Sequence, residues 1–144
     1  MALIETCGQQ WFTRQQDLFK PTVLARLQQH LAQHHKIVLV SGSLLACLSP
    51  IAQQVGAHDI LCIQQAQQEG IFTGEIVPPQ TIGEGKAVAI KQYLAQQPTD
   101  DKHTTVYGDH ISDLPMLSLA DMPVVVANCP QLIAVAKEAG WEQL

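Results

Sequence analysis

The sequence predicts an α/β domain with a mostly parallel sheet flanked by helices. Short apolar, β-branched runs alternate with segments whose apolar residues recur every three or four positions, and this alternation is typical of parallel α/β folds. The chain has 144 residues, of which 47% are hydrophobic and 15% charged. That size and composition suit one folded domain and exclude an intrinsically disordered chain.

Five segments have the apolar spacing of helices. Pro21 suits the first turn of the first helix, and Gly56 is the expected end of the second because glycine readily adopts the left-handed conformation. The predicted helices run from near Pro21 through Leu31, from Leu44 to Val55, from about Gly85 to before Pro98, from Leu114 to Leu119 and from Gln131 to Ala139.

The predicted strands are the apolar runs between these helices. They cover 36–41, 59–65, 71–77, 104–107 and 124–127. The first run is rich in β-branched residues, which predicts a strand buried on both faces of the sheet. Glu69 and Gly70 separate the second and third runs, so these two strands are predicted to form a hairpin. Residues 1–20 contain Trp11 and Phe12 but no clear strand pattern.

Charge, apolar length and cysteine usage exclude several classes of function. There are 8 basic and 13 acidic residues, a balance that argues against nucleic acid or an anionic membrane as the partner. No apolar run approaches the ~18 residues of a membrane span, and the first ten residues lack the basic start of a signal peptide. Four scattered cysteines without a C-x-x-C pair favour reduced thiols and a cytoplasmic location.

The residues after the first strand are a candidate phosphate site. In parallel sheets, ligands bind beyond the carboxyl ends of the strands, where helices begin. Ser41-Gly42-Ser43 supplies hydroxyls and a glycine that permits close backbone approach. An equally good interpretation is that Ser41 or Ser43 simply caps the next helix.

Two aspartates and a lysine complete the candidate site. Asp109 and Asp113 follow the strand that ends near Tyr107, and carboxylates at such a position suit Mg²⁺, which prefers oxygen ligands. For Asp113, capping the following helix is an equally good role. Lys86 stands near a predicted helix start, where it would neutralise phosphate charge, unless it is an ordinary exposed helix lysine.

These motifs, in this order, resemble the haloacid dehalogenase superfamily of phosphatases, in particular its phosphoserine-phosphatase-like branch. The strand ending in Ser41-Gly42-Ser43 is similar to the second motif of the family, and Lys86 in G-K-A-x-A-I to the third. Gly108-Asp109-x-x-x-Asp113-Leu114-Pro115 is similar to the fourth. The resemblance covers about residue 20 to the end, which implies a core domain over 21–144 and a cap-helix remnant or linker over 1–20.

The resemblance implies a role for each site residue. Ser41 and the backbone of Gly42 would hold phosphoryl oxygens, and Lys86 would neutralise the phosphate and the nucleophile. Asp109 would bind Mg²⁺, and Asp113 would support the ion directly or through water. Lys86, Asp109 and Asp113 would thus be catalytic, and we expect all of these groups to meet around one pocket for a small phosphorylated substrate.

The chain departs from the family at the first motif. The family's nucleophile is an aspartate in D-x-D-x-T/S at the end of the central strand, and no such motif is present. Glu5 and Cys7 are the nearest candidates for its two aspartates, but they lack a convincing strand. We therefore expect the first strand and most of the cap to be missing. Their absence would leave a gap between the strands ending at Ser41 and Tyr107 or make those strands pair directly.

The sequence therefore predicts a magnesium-dependent phosphomonoester hydrolase that is incomplete and nearly inactive alone. Its partner would be a complementing amino-terminal segment or a second copy of the chain, because unpaired central strands invite pairing. The alternative is a catalytically inactive relative that acts as a phosphate- and metal-binding or interaction module. A receiver-like signalling domain fits less well, because its lysine follows the acidic cluster whereas Lys86 precedes Asp109.

Overall fold

The computed structural model describes residues 2–15, 19–98, 102–126 and 128–144. The chain divides into two compact units, Met1–Gln80 and Thr81–Leu144. Each unit contains one three-stranded sheet. The mixed α/β class is thus confirmed, with parallel strand pairs flanked by helices.

The first unit combines three helices with a mixed sheet. Its elements are α1 (Ala2–Thr13), α2 (Pro21–Ala32), β1 (Val38–Leu44), α3 (Leu45–Val55), β2 (Asp59–Gln68) and β3 (Ile71–Val77). Strands β1 and β2 are parallel, and β2 and β3 form the predicted antiparallel hairpin. Glu69 and Gly70 have φ values of 50° and 79°, the two positive φ angles of a tight hairpin turn. Gly56 ends α3 with φ 68°, as predicted.

Strand β1 differs from the prediction in burial and in length. Every residue that the structure gives to it is partly or largely exposed, so the predicted burial on both faces is wrong. The physical reason is that β1 lies at the edge of its sheet and has a neighbouring strand on one side only. The strand also continues past Ser41 to Leu44, with an irregular register between Val40 and Leu44.

Helix α1 packs closely on α3. A Cβ atom added to Gly8 would overlap the main-chain carbonyl of Ala46, so the two backbones approach each other where Gly8 stands. Phe12, one turn later, is buried and meets Phe19 edge to face. Within the segment 1–20, which carries no strand pattern, Ala2–Thr13 therefore form a packed helix.

The second unit is a parallel sheet with helices. Its elements are α4 (Glu84–Ala95), β4 (Thr105–Gly108), a 3₁₀ turn (Ile111–Asp113), α5 (Leu114–Leu117), β5 (Met122–Val125), α6 (Pro130–Ala139) and β6 (Glu142–Gln143). The strand order is β4-β5-β6, and both pairs are parallel. The centre of its core is a cluster of four residues with no exposed surface: Leu117, Val125, Leu132 and Ala136. The predicted strand over 124–127 is found slightly earlier, and its last residue lies outside the described residues.

Three further observations concern strand pairing, the cysteines and membrane crossing. β1 and β4 belong to different sheets, each at an edge. All four cysteines are free thiols. Over the described ranges, no helix has the length and apolar character needed to cross a membrane.

Candidate active site

The second unit contains a buried ion pair between Lys86 and Asp113. Nζ of Lys86 lies 2.6 Å from Oδ1 of Asp113, and the two side chains are 16% and 4% exposed. Lys86 is in the first turn of α4, and Asp113 ends the 3₁₀ turn that follows β4. The interpretation of Lys86 as an ordinary exposed helix lysine is therefore wrong.

Both oxygens of the Asp113 carboxylate accept hydrogen bonds. Oδ1 accepts from Lys86, and Oδ2 accepts from the backbone N–H groups of Asp109 at 3.1 Å and His110 at 3.3 Å. The His110 ring in turn accepts from the backbone N–H of Ser112, which completes a capping box. Asp113 thus caps the 3₁₀ turn, whereas its side chain makes no capping bond to α5. The predicted capping role is correct in kind but applies to the preceding turn.

The surroundings of Asp113 favour its ionised form. Burial on its own raises the pKa of this carboxyl, because a charge is less stable away from water. The hydrogen bond and charge of Lys86, together with the two backbone N–H groups, outweigh burial and hold the pKa below its ordinary value. The Asp113 carboxylate is therefore ionised at neutral pH, beside Nζ of Lys86.

Gly108 gives the Asp113 side chain its space. A Cβ atom at Gly108, the last residue of β4, would lie 2.9 Å from Cβ of Asp113 and 3.0 Å from a methyl carbon of Leu117. Such distances are shorter than ordinary van der Waals contacts. This role was not predicted, although a glycine between an apolar strand and the first aspartate was the available signal.

Asp109 stands beside the ion pair with an exposed side chain. Its backbone N–H is fixed by Asp113, so its position at the carboxyl end of β4 is defined. His110, the next residue, is also exposed, and its ring is engaged with Ser112. Of the two aspartates, Asp109 is the one whose side chain faces solvent, because Asp113 is buried.

Asp109 and Asp113 are the residues that could hold Mg²⁺. The described part of the chain has no cluster of three or more His, Cys, Asp or Glu side chains, so a protein cage of many ligands is not formed there. Mg²⁺ commonly uses one or two carboxylates and completes its shell with water and substrate phosphate. An exposed carboxylate next to a fixed one fits that pattern, with Asp109 better suited to direct contact because both Asp113 oxygens already have donors.

Ser41 and Gly42 lie in the first unit. Oγ of Ser41 accepts a hydrogen bond from the backbone N–H of Ser43 at 3.1 Å, and both serines belong to β1. The N-cap of α3 is Leu44, with no side-chain capping bond, so the interpretation of either serine as the helix cap is wrong. The structure brings Lys86, Asp109 and Asp113 together, and their meeting with Ser41 and Gly42 stays a prediction.

Comparison with known proteins assigns the family. A sequence model described as haloacid dehalogenase-like hydrolase matches residues 1–118. The chain belongs to the haloacid dehalogenase-like hydrolase family. The chain is 31% identical over 115 residues to a phosphoserine phosphatase of Mycobacterium tuberculosis, and the alignment covers 80% of the chain and 37% of the relative. It is also 28% identical over 130 residues to a histidinol-phosphatase of Neisseria meningitidis, covering 84% and 59%.

A solved structure supports the fold of this haloacid dehalogenase-like chain. The chain superposes with a TM-score of 0.81 and 25% identity on a Bordetella pertussis protein of unknown function, and the match covers 90% of the chain and 59% of that structure. The chain thus spans less than two thirds of the length of these proteins. The resemblance read from the three motifs is confirmed at the level of the family.

Proposed function

We propose that this chain supplies the phosphate- and magnesium-binding part of a phosphomonoester hydrolase. The observation that carries the proposal is the buried Lys86–Asp113 pair beside the exposed Asp109, at the carboxyl end of parallel strand β4. A buried lysine held by one aspartate beside a second, solvent-facing aspartate is an arrangement suited to an anion and a hard cation together. The phosphatase names of two relatives support the same class of reaction.

Lys86 contributes positive charge at a fixed place. Its Nζ is held by Asp113 at 2.6 Å, so the ammonium group has little freedom and its remaining N–H donors are available in defined directions. A preorganised cation stabilises charge that develops on a transferring phosphoryl group without having to reorganise during the reaction. Asp113 acts here as a positioning residue, through Lys86 and through the backbone of Asp109.

Asp109 would be the direct ligand of Mg²⁺, with Asp113 supporting the ion directly or through water. When bound, Mg²⁺ neutralises phosphate charge and polarises a phosphoryl oxygen. The contribution of the chain is to hold the Asp109 backbone by the hydrogen bond to Asp113. The exposed Asp109 carboxylate is thereby kept next to the lysine that faces the same anion.

Ser41 and Gly42 would hold phosphoryl oxygens from the first unit. The Ser41 hydroxyl oxygen is oriented by the N–H of Ser43, which fixes this side chain on the segment where β1 ends. Gly42 has no side chain to keep a ligand away from its backbone N–H. Helix α3 begins three residues after Gly42, and no side chain caps its first turn. The backbone N–H groups of that turn favour a negatively charged group nearby.

The aspartate nucleophile would come from a polypeptide segment outside these 144 residues. The sequence contains no D-x-D-x-T/S motif, and Glu5, the nearest substitute, lies within helix α1 and not at a strand end. Attack by a carboxylate on phosphorus gives an acyl phosphate that water hydrolyses. Loss of a covalent nucleophile costs roughly 10⁴- to 10⁶-fold in turnover, so the chain alone would be nearly inactive.

The test is complementation. Purified chain with Mg²⁺ is assayed on p-nitrophenyl phosphate with and without a synthetic D-x-D-x-T/S strand segment, and a segment with asparagine for the first aspartate is the matched control. We expect hydrolysis only with the intact segment, loss of hydrolysis in Asp109→Ala, and little change in Glu138→Ala, an exposed acid on α6.

Two results would redirect the proposal. Ordinary turnover by the chain alone, abolished by Asp109→Ala, would contradict the assignment of the nucleophile. Magnesium-dependent phosphate binding without hydrolysis in any mixture would favour the alternative, a phosphate- and metal-binding module without catalysis. Sedimentation of the chain with and without the segment would test the predicted self-association.

A further inference from the structure

Helix α2 ends in a set of hydrogen bonds that normally favours glycine. The backbone N–H of His35 donates to the carbonyl oxygen of His30, and that of His34 to the carbonyl oxygen of Leu31, both at 3.0 Å. These are the two bonds of a Schellman motif, in which the residue just past the helix end has a positive φ. That residue is the exposed His34, with φ 58°, although glycine would adopt this conformation without strain. Histidines therefore occupy positions that local backbone preference does not explain.

The two side chains that this motif brings together are imidazoles. The positions of His30 and His35 in a Schellman motif usually form an apolar contact. Here Nδ1 of His30 lies 2.9 Å from Nδ1 of His35, so one ring donates a hydrogen and the other ring accepts it. An imidazole with protons on both nitrogens cannot accept a hydrogen bond. This contact therefore exists only while at least one of the two rings is neutral.

A third histidine attaches the same part of the chain to the start of β2. Ile37 and His58 stand directly before β1 and β2. The backbone N–H of Ile37 donates to Nδ1 of His58 at 3.0 Å, and the carbonyl oxygen of Ile37 accepts from the backbone N–H of His58 at 2.8 Å. Nδ1 of His58 can accept the first of these bonds only when it carries no proton. The connection between α2 and β1, residues 33–37, is thus held by two side-chain contacts that both require a neutral imidazole.

Helix α2 depends on this connection because its own packing is shallow. None of the described residues of α2, Pro21–Ala32, is buried, whereas burial of an apolar face supplies most of the stability of helices in proteins. We propose that the α2–β1 connection is a pH-sensitive switch, which holds α2 at neutral pH and releases its end when the three histidines take up protons. Histidine is the side chain whose charge ordinarily changes between about pH 5 and pH 8, so release is expected within this range.

The charged groups around the connection favour the same direction of change. Burial, the neighbouring His35 and the charge of Arg26, one turn earlier on α2, hold the pKa of His30 below its ordinary value. Lys36 pairs with Asp59 of β2 at 2.9 Å, so these two opposite charges largely compensate each other. A histidine whose folded pKa is lowered contributes stability above its unfolded pKa of about 6.5 and loses it as the pH falls through the folded pKa. Acid therefore weakens this helix end.

The experiment measures hydrogen exchange of the backbone amides over 21–37 in the 144-residue chain at about pH 7.5 and about pH 5, on the two sides of histidine titration. After correction for the pH dependence of the unprotected rate, we expect a roughly 3- to 10-fold loss of protection at the lower pH, as loss of one hydrogen bond causes. His30→Leu and His35→Leu together supply the usual apolar contact, and His58→Gln keeps an acceptor that does not titrate. The triple variant is expected to keep its protection at both pH values. His103→Gln, at an exposed position of the second unit, is the matched control and retains the pH response.

A second readout tests the contacts themselves. The ¹⁵N chemical shifts of the imidazole rings at neutral pH report which ring nitrogen carries the proton. We expect one ring of the His30–His35 pair to carry its proton on Nδ1 and the His58 ring to carry its proton on Nε2. Protons on Nε2 of both His30 and His35 would overturn the proposal, because no hydrogen would then lie between the two Nδ1 atoms. Equal protection of α2 at the two pH values in the wild type would also overturn it, and so would a pH response of the same size in the triple variant.

Discussion

Replacing Lys86 with methionine is expected to destabilise the second unit by about 3 kcal/mol. Methionine keeps most of the apolar stem but removes the ammonium group that lies 2.6 Å from Asp113. Removing one partner of a buried ion pair costs roughly 3–5 kcal/mol because the other charge stays buried without compensation. We expect a value at the lower end of this energy range, because two backbone N–H groups still bind the Asp113 carboxylate and the Lys86 side chain is 16% exposed.

The loss of stability caused by Lys86→Met is expected to become smaller as the pH falls. The pKa of Asp113 is held below its ordinary value, so its contribution to wild-type stability is present above the unfolded pKa of about 4 and is lost as pH falls through the folded pKa. Burial raises the pKa of Asp113, and Lys86 is the main group that lowers it. Without Lys86, Asp113 therefore takes up a proton at a higher pH than in the wild type. The stability difference between the two proteins therefore narrows from pH 7 towards pH 4.

Trp141 provides the assay. It packs against the core of the second unit, so urea unfolding followed by its fluorescence in a Trp11→Phe background reports on that unit. Lys91→Met removes a cation from the exposed face of the same helix and is expected to change stability by less than about 0.5 kcal/mol. Equal stability of Lys86→Met and the control at pH 7 would refute the buried ion pair. So would a loss of the same size at pH 4.

Three further substitutions test the packing and the surface charges. Gly108→Ala brings a Cβ within 2.9 Å of the site aspartate and should destabilise the second unit by roughly 1–3 kcal/mol, measured with Trp141 fluorescence. Gly8→Ala should destabilise the first unit, measured with Trp11 fluorescence, because the new Cβ would overlap the main chain of Ala46. We expect the cost of this overlap to exceed the ~1 kcal/mol by which alanine favours a helix over glycine. Asp121→Asn should flatten acid unfolding below about pH 4, because backbone and hydroxyl hydrogen bonds from Thr104 hold the pKa of Asp121 below its ordinary value.

Each of these variants has its own contradicting result. An unchanged urea midpoint for Gly108→Ala would mean that the end of β4 has room beside the carboxylate. Gln10→Ala, at an exposed position of α1, is the control for Gly8→Ala, and equal effects of the two would refute close packing of α1 on α3. An Asp121→Asn profile that follows the wild type at every pH would show that the Thr104 contacts do not favour the ionised aspartate.

Features set by neighbouring residues were predictable from the sequence. Apolar spacing located α2, α3 and α4, and glycines marked the end of α3 and the hairpin turn, because these depend on local backbone preference. The motif order also selected Lys86, Asp109 and Asp113 as one group.

Features that depend on distant partners were not predictable. The exposure of β1 follows from its edge position, which a β-branched run does not reveal. The Lys86–Asp113 bond joins residues 27 positions apart. β6 has two residues, too few for any periodic pattern.

The most direct measurement of the central claim is phosphate binding by the 144-residue chain with and without Mg²⁺, followed by ³¹P NMR. The assignment of Asp109 to Mg²⁺ and of Lys86 to phosphate predicts about tenfold tighter binding with Mg²⁺ in the wild type. It also predicts no Mg²⁺ effect in Asp109→Asn and weaker binding in Lys86→Met under both conditions. Phosphate affinity that rises equally with Mg²⁺ in the wild type and Asp109→Asn would contradict it.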